Sequence, residues 1–230
     1  MDAHLSWPIM RPLPRPVSPA QDETLRSYLG RLARANRLDA DALRTHLTGT
    51  KAKYPAVEVD ALARISGQST RSLRYAVLEL CTGQELTAMR IAGRPPPHGH
   101  SQLRCILCTL ARGHQDQVWG WNHPEDVICQ RHRRWIGTDE HIAHHQPSLT
   151  DQPEILQAGE QHQRMIRRSG RPIITNAFGH ATQICHHWHR RLEHDDDFYR
   201  LMERFHHGQW RVTPTDPTVH AARYPQIIAR

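Results

Sequence analysis

The sequence predicts a mainly α protein: an N-terminal module resembling a helix-turn-helix, a small central zinc ribbon or knuckle, and C-terminal helices. Three observations lead there. Apolar residues recur at helical spacing between residues 25 and 80. The stretch from Cys105 to His132 reads C-x-x-C, then twenty residues, then C-x-x-H. A break rich in proline and glycine, GRPPPHGH at 93–100, separates the two, and helical patterns resume after residue 150.

The expected organisation follows the chain in order. Residues 1–20 hold five prolines and form an extended arm, either a loose tail or a docked, partner-binding segment. Residues 21–92 form the helical module. Leu25, Tyr28, Leu29, Leu32 and Ala33 make the stripe of a first helix, with Asp22 and Glu23 at its start. Leu38, Ala42, Leu43 and Leu47 are the inward residues of a second, and a loop with Gly49 and Pro55 follows. A third helix turns Val59, Leu62, Ala63 and Ile65 inward and stops at Gly67; a fourth, capped by Thr70, buries Leu73, Ala76, Val77 and Leu80. The linker at 93–100 leads to a metal-binding module at 101–137 and a helical region at 138–230. There, helices are expected through Ile155, Leu156, Met165 and Ile166 and again across 180–208, while 211–230 carries little pattern.

The third and fourth helices have the separations of a helix-turn-helix. Ala63 gives a close crossing, Gly67 a permissive turn, and Leu73 pins the second helix. That arrangement leaves Gln68, Ser69, Thr70, Arg71, Arg74 and Tyr75 facing outward, a polar and cationic face suited to base edges and phosphates of double-stranded DNA. An ordinary bundle uses the same packing. The earlier pair repeats it with Ala33, Arg37 and Leu43 and reads as scaffold, with Arg34, Arg37 and Arg44 as further phosphate contacts.

Charge supports that placement. The net charge is +7, and of 30 basic residues only Lys51 and Lys53 are lysines. Residues 1–104 carry 15 basic and 9 acidic side chains, while residues 105–230 carry 15 and 14. The excess therefore lies in the first part, where arginine forks suit phosphate oxygens. Arginine enrichment also follows from GC-rich coding.

The chain has 230 residues, enough for one large domain or two small ones, and 38% of them are hydrophobic at a mean hydropathy of −0.69. Cores this modest are often reinforced by a metal. Five cysteines do not complete a disulfide framework. No secretory apolar region or membrane-length run is visible, so the expectation is a soluble, cytoplasmic, nucleoid-associated protein with no membrane partner.

Cys105, Cys108, Cys129 and His132 supply four nitrogen and sulfur ligands as two knuckles. This is the requirement of one structural zinc ion with no position left for water. Trp119 and Trp121, two apart, share one face of a strand and either cover the ion or pack on the helical module. His114 or His123 in place of His132, and a redox-active Cys105–Cys108 pair, are the rivals. His141, His144 and His145, and His186 and His189, have ligand spacing yet read as a polar surface. Cys185 reads as core, and Asp195, Asp196 and Asp197 as a solvated turn or helix cap, with a magnesium site as the alternative. No phosphate loop, H-E-x-x-H or G-x-S-x-G is present, so no enzyme is expected.

RPLPRPVSPAQDETLRSYLGRLARAN, DALARISGQSTRSLR and CILC…W…W…CQRH, in that order, resemble TniQ-family proteins over roughly residues 8–137, and the final RYPQIIAR is similar to the tails of short bacterial members. Ile106 stands where family knuckles often have proline, and Arg37 where the turn often has glycine. The resemblance implies a non-catalytic, target-selecting subunit of bacterial transposition. Such a subunit binds DNA or joins an RNA-guided complex, and recruits an AAA+ ATPase. It also implies zinc on Cys105, Cys108, Cys129 and His132, with residues 68–75 near DNA or a partner. A stand-alone helix-turn-helix transcription regulator, and a zinc-dependent protein-interaction module without DNA binding, are the alternatives.

Overall fold

A computed structural model describes residues 11–50, 56–137, 146–189, 196–206 and 217–229. Among the described residues it contains ten α-helices and four short strands. The chain divides into two compact units: residues 1–101 with 114–122, and residues 102–113 with 123–230.

The first unit is helical. Its helices are α1 (Leu25–Ala35), α2 (Ala40–Thr48), α3 (Val59–Ser66), α4 (Thr70–Ala76) and α5 (Gly83–Ile91), with a 3-10 turn at Leu78–Leu80 before α5. Side-chain caps fix their starts. Thr24 accepts from the Ser27 amide at 3.1 Å, Asp39 from Ala42 at 2.7 Å, and Ser69 from Ser72 at 3.1 Å. The α1 start therefore belongs to Thr24 and the α4 start to Ser69, one or two residues from the expected Asp22–Glu23 and Thr70. Thr82 and Glu85 form a reciprocal capping box that starts α5, a helix the apolar pattern did not announce because none of its residues is buried.

Tyr28, Leu32, Leu62 and Leu73 are fully buried in one cluster with Leu43, Leu47 and Ile65. Each such burial contributes about 1.5–3 kcal/mol. Leu38 and Ala42, expected inside, face outward: Leu38 precedes the Asp39 cap and so lies outside α2, and the helix turns Leu43 and Leu47 to the core. Gly67, at φ +68°, ends α3. Arg37 holds the equivalent left-handed turn at φ +58° without glycine's freedom.

Residues 11–20 lie on this core. The Leu13 amide donates to the Ile65 carbonyl at 2.8 Å, Asn36 exchanges two bonds with Arg15, and the Tyr28 hydroxyl donates to the Val17 carbonyl at 3.0 Å. Burial pushes the Tyr28 phenol up to about 12. Of the two readings of the arm, the docked one describes these residues.

The strand β1 (His100–Leu103) begins in the first unit and pairs with β2 (Trp119–Asn122). The β2 backbone joins the start of α1. Thr24 donates to the Trp119 carbonyl at 2.9 Å, and Trp121 donates to the Asp22 carbonyl at 2.7 Å. Trp119 and Trp121 do share a strand face, and the segment carrying them belongs to the helical unit.

The second unit holds α6 (Ile106–Leu110), the antiparallel pair β3 (Ile128–Cys129) and β4 (Arg134–Trp135), then α7 (Pro153–Ser169), α8 (Arg171–His189), α9 (Asp196–His206) and α10 (Pro217–Ile228). α10 forms from the weakly patterned tail by packing on α7, α8 and α9. Tyr224 of α10 meets Trp135 edge-on at 5.4 Å. Leu149, Ile155 and Met202 are fully buried beside Ala221 and Ala222. Gly137 and Gly159 allow close packing: a Cβ on Gly137 would stand 2.6 Å from a Val127 methyl, and one on Gly159 2.7 Å from Ile128 Cδ1. No helix among the described residues is long and apolar enough to cross a membrane.

Candidate metal centre and nucleic-acid interface

Two short turns bring the four expected ligands together. Cys105 stands just before α6 and Cys108 one turn into it, while Cys129 ends β3 and His132 lies in the tight turn to β4. Their donor atoms all lie within 4.8 Å of one another. His132 Nδ1 is 3.5 Å from Cys105 Sγ, 3.2 Å from Cys108 Sγ and 3.7 Å from Cys129 Sγ, and the Cys108 and Cys129 sulfurs are 3.6 Å apart.

These separations fit a bound metal. In a tetrahedral ion with metal–sulfur bonds of about 2.3 Å and metal–nitrogen bonds of about 2.0 Å, the sulfurs stand about 3.8 Å apart and sulfur and nitrogen about 3.5 Å. The donor set can therefore hold one ion through Nδ1 of the imidazole. Cys81, Cys105, Cys108 and Cys129 form no disulfide. His114 and His123 lie outside the group. His114 Nδ1 is instead 3.2 Å from Arg31 Nη1 in the helical unit.

The support around the ligands is specific. The Gln146 side-chain amide accepts from the Ile106 backbone amide at 2.9 Å and donates to the Arg104 carbonyl at 3.0 Å, holding the backbone on either side of Cys105. Arg134 donates to the Gln146 carbonyl, and Leu149 donates to the Arg133 carbonyl at 2.7 Å, so the same segment holds the second knuckle. Burial pushes the Cys105 thiol up, against amides of Cys108 and Leu107 that donate toward its sulfur. Those amides are oriented for a thiolate. Gln146 gave no signal in the sequence, since a lone glutamine after a proline-free loop has no spacing to read.

The α4 residues are placed as follows. Ser69, Thr70, Arg71, Arg74 and Tyr75 line an open groove of about 720 Å³ with Ser72, Cys81, Glu85 and Met89. Gln68 lies before the helix with its amide bonded to Ser66 Oγ at 3.3 Å. Arg71 and Tyr75 are exposed. Arg74 is engaged by Glu85 at 3.4 Å, and the Arg94 guanidinium lies 4.8 Å over the Tyr75 ring. Glu85 and Arg94 were not singled out from the sequence; they act on α4 from a helix and a loop that local pattern does not connect to it. Of the three other arginines, Arg34 pairs with Asp116 at 2.6 Å and Arg44 with Asp41 at 3.0 Å, whereas Arg37 is exposed in its turn.

Several sequence features lie beyond these observations. His141, His144, His145 and Asp195 fall outside the described residues, as do the side chains of Cys185, His186, His189, Asp196 and Asp197.

A family model described as TniQ matches residues 14–135, more than half of the chain, and its span takes in α1 to α5, both tryptophans of β2 and all four ligand residues. No curated protein and no solved structure matches.

Proposed function

The chain belongs to the TniQ family, and from that premise we propose that it is a zinc-stabilised, non-catalytic adaptor of transposition. It binds double-stranded DNA, or an RNA-guided complex on DNA, marks the target, and recruits an AAA+ transposition ATPase. The observation that carries this reading is the co-occurrence, inside the matched span, of a four-ligand centre and an exposed polar helix face. Zinc fits the centre because three thiolates and an imidazole in a tetrahedron suit a borderline-soft ion without redox chemistry.

The work of such an adaptor is positional. Arg71 and Arg37, exposed and unengaged by carboxylates among the described residues, contact phosphates and set orientation. Gln68, Ser69, Thr70 and Tyr75 bias the site. Arg74 contributes once Glu85 gives way, and Arg34 and Arg44 likewise exchange a carboxylate for a phosphate. The arm at residues 1–20 and the aromatic spacer with Trp119 and Trp121 are docking elements for the partner.

Duplex retention measured against salt tests the DNA half. Affinity should fall steeply as salt rises, because each phosphate contact releases counterions. Arg71→Ala should weaken binding about three- to tenfold. Unchanged retention in Arg71→Ala/Arg74→Ala would instead favour the protein-interaction module. Co-purification with an AAA+ ATPase encoded beside this chain tests the recruitment half, and a locus without such a neighbour favours the stand-alone regulator.

A further inference from the structure

The proline-rich arm places two further arginines beside the helix-turn-helix-like pair. Residues 11–21, RPLPRPVSPAQ, carry Arg11 and Arg15 and no acid. Both arginines are exposed, and neither forms an ion pair among the described residues. The next acids along the chain are committed elsewhere, Asp22 to Arg94 and Glu23 to Arg31.

Four contacts, all within the helical unit, fix where the arm lies. The Leu13 amide donates to the Ile65 carbonyl at 2.8 Å. Asn36, which ends α1, accepts from the Arg15 amide at 2.9 Å and donates through Nδ2 to the Arg15 carbonyl at 2.9 Å. A Cβ on Gly67 would stand 4.0 Å from Pro16 Cβ. The arm therefore touches both helix–helix turns at neighbouring residues. Arg15 sits beside Asn36 and the exposed Arg37 that follows it, and Pro16 sits beside the Gly67 turn that leads into α4. Leu13 and Val17 pack on the core, so the charged side chain left outward between them is Arg15.

Reach and width match this strap to duplex DNA. With α4 in a major groove and its N-terminal end at the base edges, the Gly67 turn stands at that groove. The adjoining minor groove is half a helical repeat away, about 17 Å along the axis. Pro12, Pro14 and Pro16 each hold φ near about −65°. At about 3.1 Å per residue, the steps from Pro16 back to Arg11 span up to about 16 Å. Arg11 therefore reaches the minor groove, while Arg15 and Arg37, nearer the turns, stand at the phosphates between the two grooves. A minor groove about 6 Å wide admits an extended chain and excludes a helix about 10 Å across. Arginine is drawn into it where A·T tracts narrow it and deepen its negative potential. Leu13 and Val17 are turned inward, so the arm offers no apolar wedge to part base steps.

We infer, resting on the α4 reading, that Arg11 enters the minor groove next to the α4 site and that Arg15, with Arg37, grips the intervening phosphates. The arm thereby adds a preference for A·T over G·C beside whatever α4 reads, which is the distinction the minor groove can convey.

The test uses the full chain and three random-sequence duplexes, interrupted once per helical turn by a short tract of A·T, G·C or I·C pairs. Inosine has guanine's major-groove edge but lacks its N2 amino group. An I·C tract therefore looks like G·C from the major groove and like A·T from the minor. The wild-type chain should bind the A·T and I·C duplexes alike and the G·C duplex about three- to tenfold more weakly. Arg11→Gln should level the three. Arg15→Gln should keep the ranking and make the slope of log affinity against log salt shallower by about 0.9. Both side chains are exposed, and unchanged melting temperatures check that the variants remain folded. Binding of I·C like G·C, or a ranking that survives Arg11→Gln, overturns the minor-groove contact, and an unchanged slope in Arg15→Gln overturns the phosphate contact. Wild-type affinity for all three duplexes in Arg11→Gln/Arg15→Gln leaves the arm to the protein partner alone and overturns the whole inference. Arg71→Gln measured alongside separates the two surfaces, since it should weaken all three duplexes alike. Loss there with Arg11→Gln unchanged leaves the α4 reading standing and removes this one, and the reverse result removes α4 only. A wild-type chain that does not bind duplex overturns both.

Discussion

Glu23→Gln should loosen the helical unit while leaving the other intact. Glu23 and Arg31 are 0% and 4% exposed, and they form a two-bond fork: Arg31 Nη2 reaches Oε2 at 2.6 Å and Nε reaches Oε1 at 2.8 Å. The carboxylate also accepts from the Ala20 amide at 2.8 Å and from the Ser27 hydroxyl at 2.7 Å, and Arg31 donates to the Ser18 carbonyl at 3.0 Å. One ion pair thus ties the arm to α1, with His114 of the inserted segment against the same guanidinium. An amide at position 23 keeps one acceptor oxygen and turns an N–H₂ toward Arg31 or the Ala20 amide, so at least one of the four bonds fails even if the Ser27 hydroxyl reverses to accept, and the charge that balances Arg31 is gone. Breaking a buried pair from one side costs about 3–5 kcal/mol, because the other charge stays buried and uncompensated. At about 1.4 kcal/mol per decade, hydrogen exchange should speed up roughly a hundred- to several thousand-fold in peptides covering 18–36 and 114–122. Peptides from 150–170 should not change. Arg31→Met should cost a similar amount, and the double variant less than the sum by at least about 2 kcal/mol. Additive losses, or equal acceleration in both units, would refute the pair as the anchor.

Gly137→Ala should destabilise by about 1–3 kcal/mol in thermal unfolding, since its Cβ would meet both Val127 Cβ and Cγ1, whereas Gly159→Ala meets the flexible end of Ile128 and should cost less. His162, fully buried, bonds through Nδ1 to the Tyr224 hydroxyl at 2.7 Å and stacks on Phe178 at 5.0 Å. Burial lowers its pKa, partly offset by Glu125 and Asp126. The unfolded chain therefore takes up the proton first. The stability that His162 supplies is complete above its ordinary value of 6.5 and is lost as pH falls below it. Melting temperature should drop between pH 7 and 5, and His162→Gln should flatten that slope; an equal slope in the variant would exclude His162 as the source. Arg37→Gly should relieve the left-handed turn and hold or raise melting temperature, and a loss above about 1 kcal/mol would show that the side chain is structural.

What the sequence disclosed follows from the range of the physics. Ligand spacing is local, so Cys105, Cys108, Cys129 and His132 were readable, and the period of 3.6 placed Tyr28, Leu32, Leu62 and Leu73 inside correctly. Caps were misplaced by one or two residues because Thr24 and Ser69 compete with equally good neighbours. α5 was invisible because it buries nothing, and α10 because it is ordered by packing on three other helices, α7, α8 and α9, rather than by its own pattern. The same limit hid Glu23–Arg31, Gln146 and the stacking of His162: each joins residues whose types are ordinary and whose proximity exists only after folding.

The chain's path would also make an ion at Cys105, Cys108, Cys129 and His132 more than a local staple. It leaves the helical unit after Ser101, returns at His114 and leaves again after Asn122. Cys108 and Cys129 bracket that excursion, and β2 within it bonds to residues 22–24. An ion joining the two knuckles closes a loop of about twenty residues, and the length-dependent entropy of that closure is about 2.7 kcal/mol. Metal binding should therefore steady 114–122 as well as the knuckles, although no ligand lies in that segment. Chelation of the purified protein, or Cys108→Ser, should raise exchange across 102–113, 114–122 and 123–135 while α1 to α4 keep their protection. Restored protection on adding zinc, with Cys108→Ser unresponsive, completes the expected result. If 114–122 keeps its protection without metal, its order comes wholly from the bonds to residues 22–24, and the centre acts on its own unit alone.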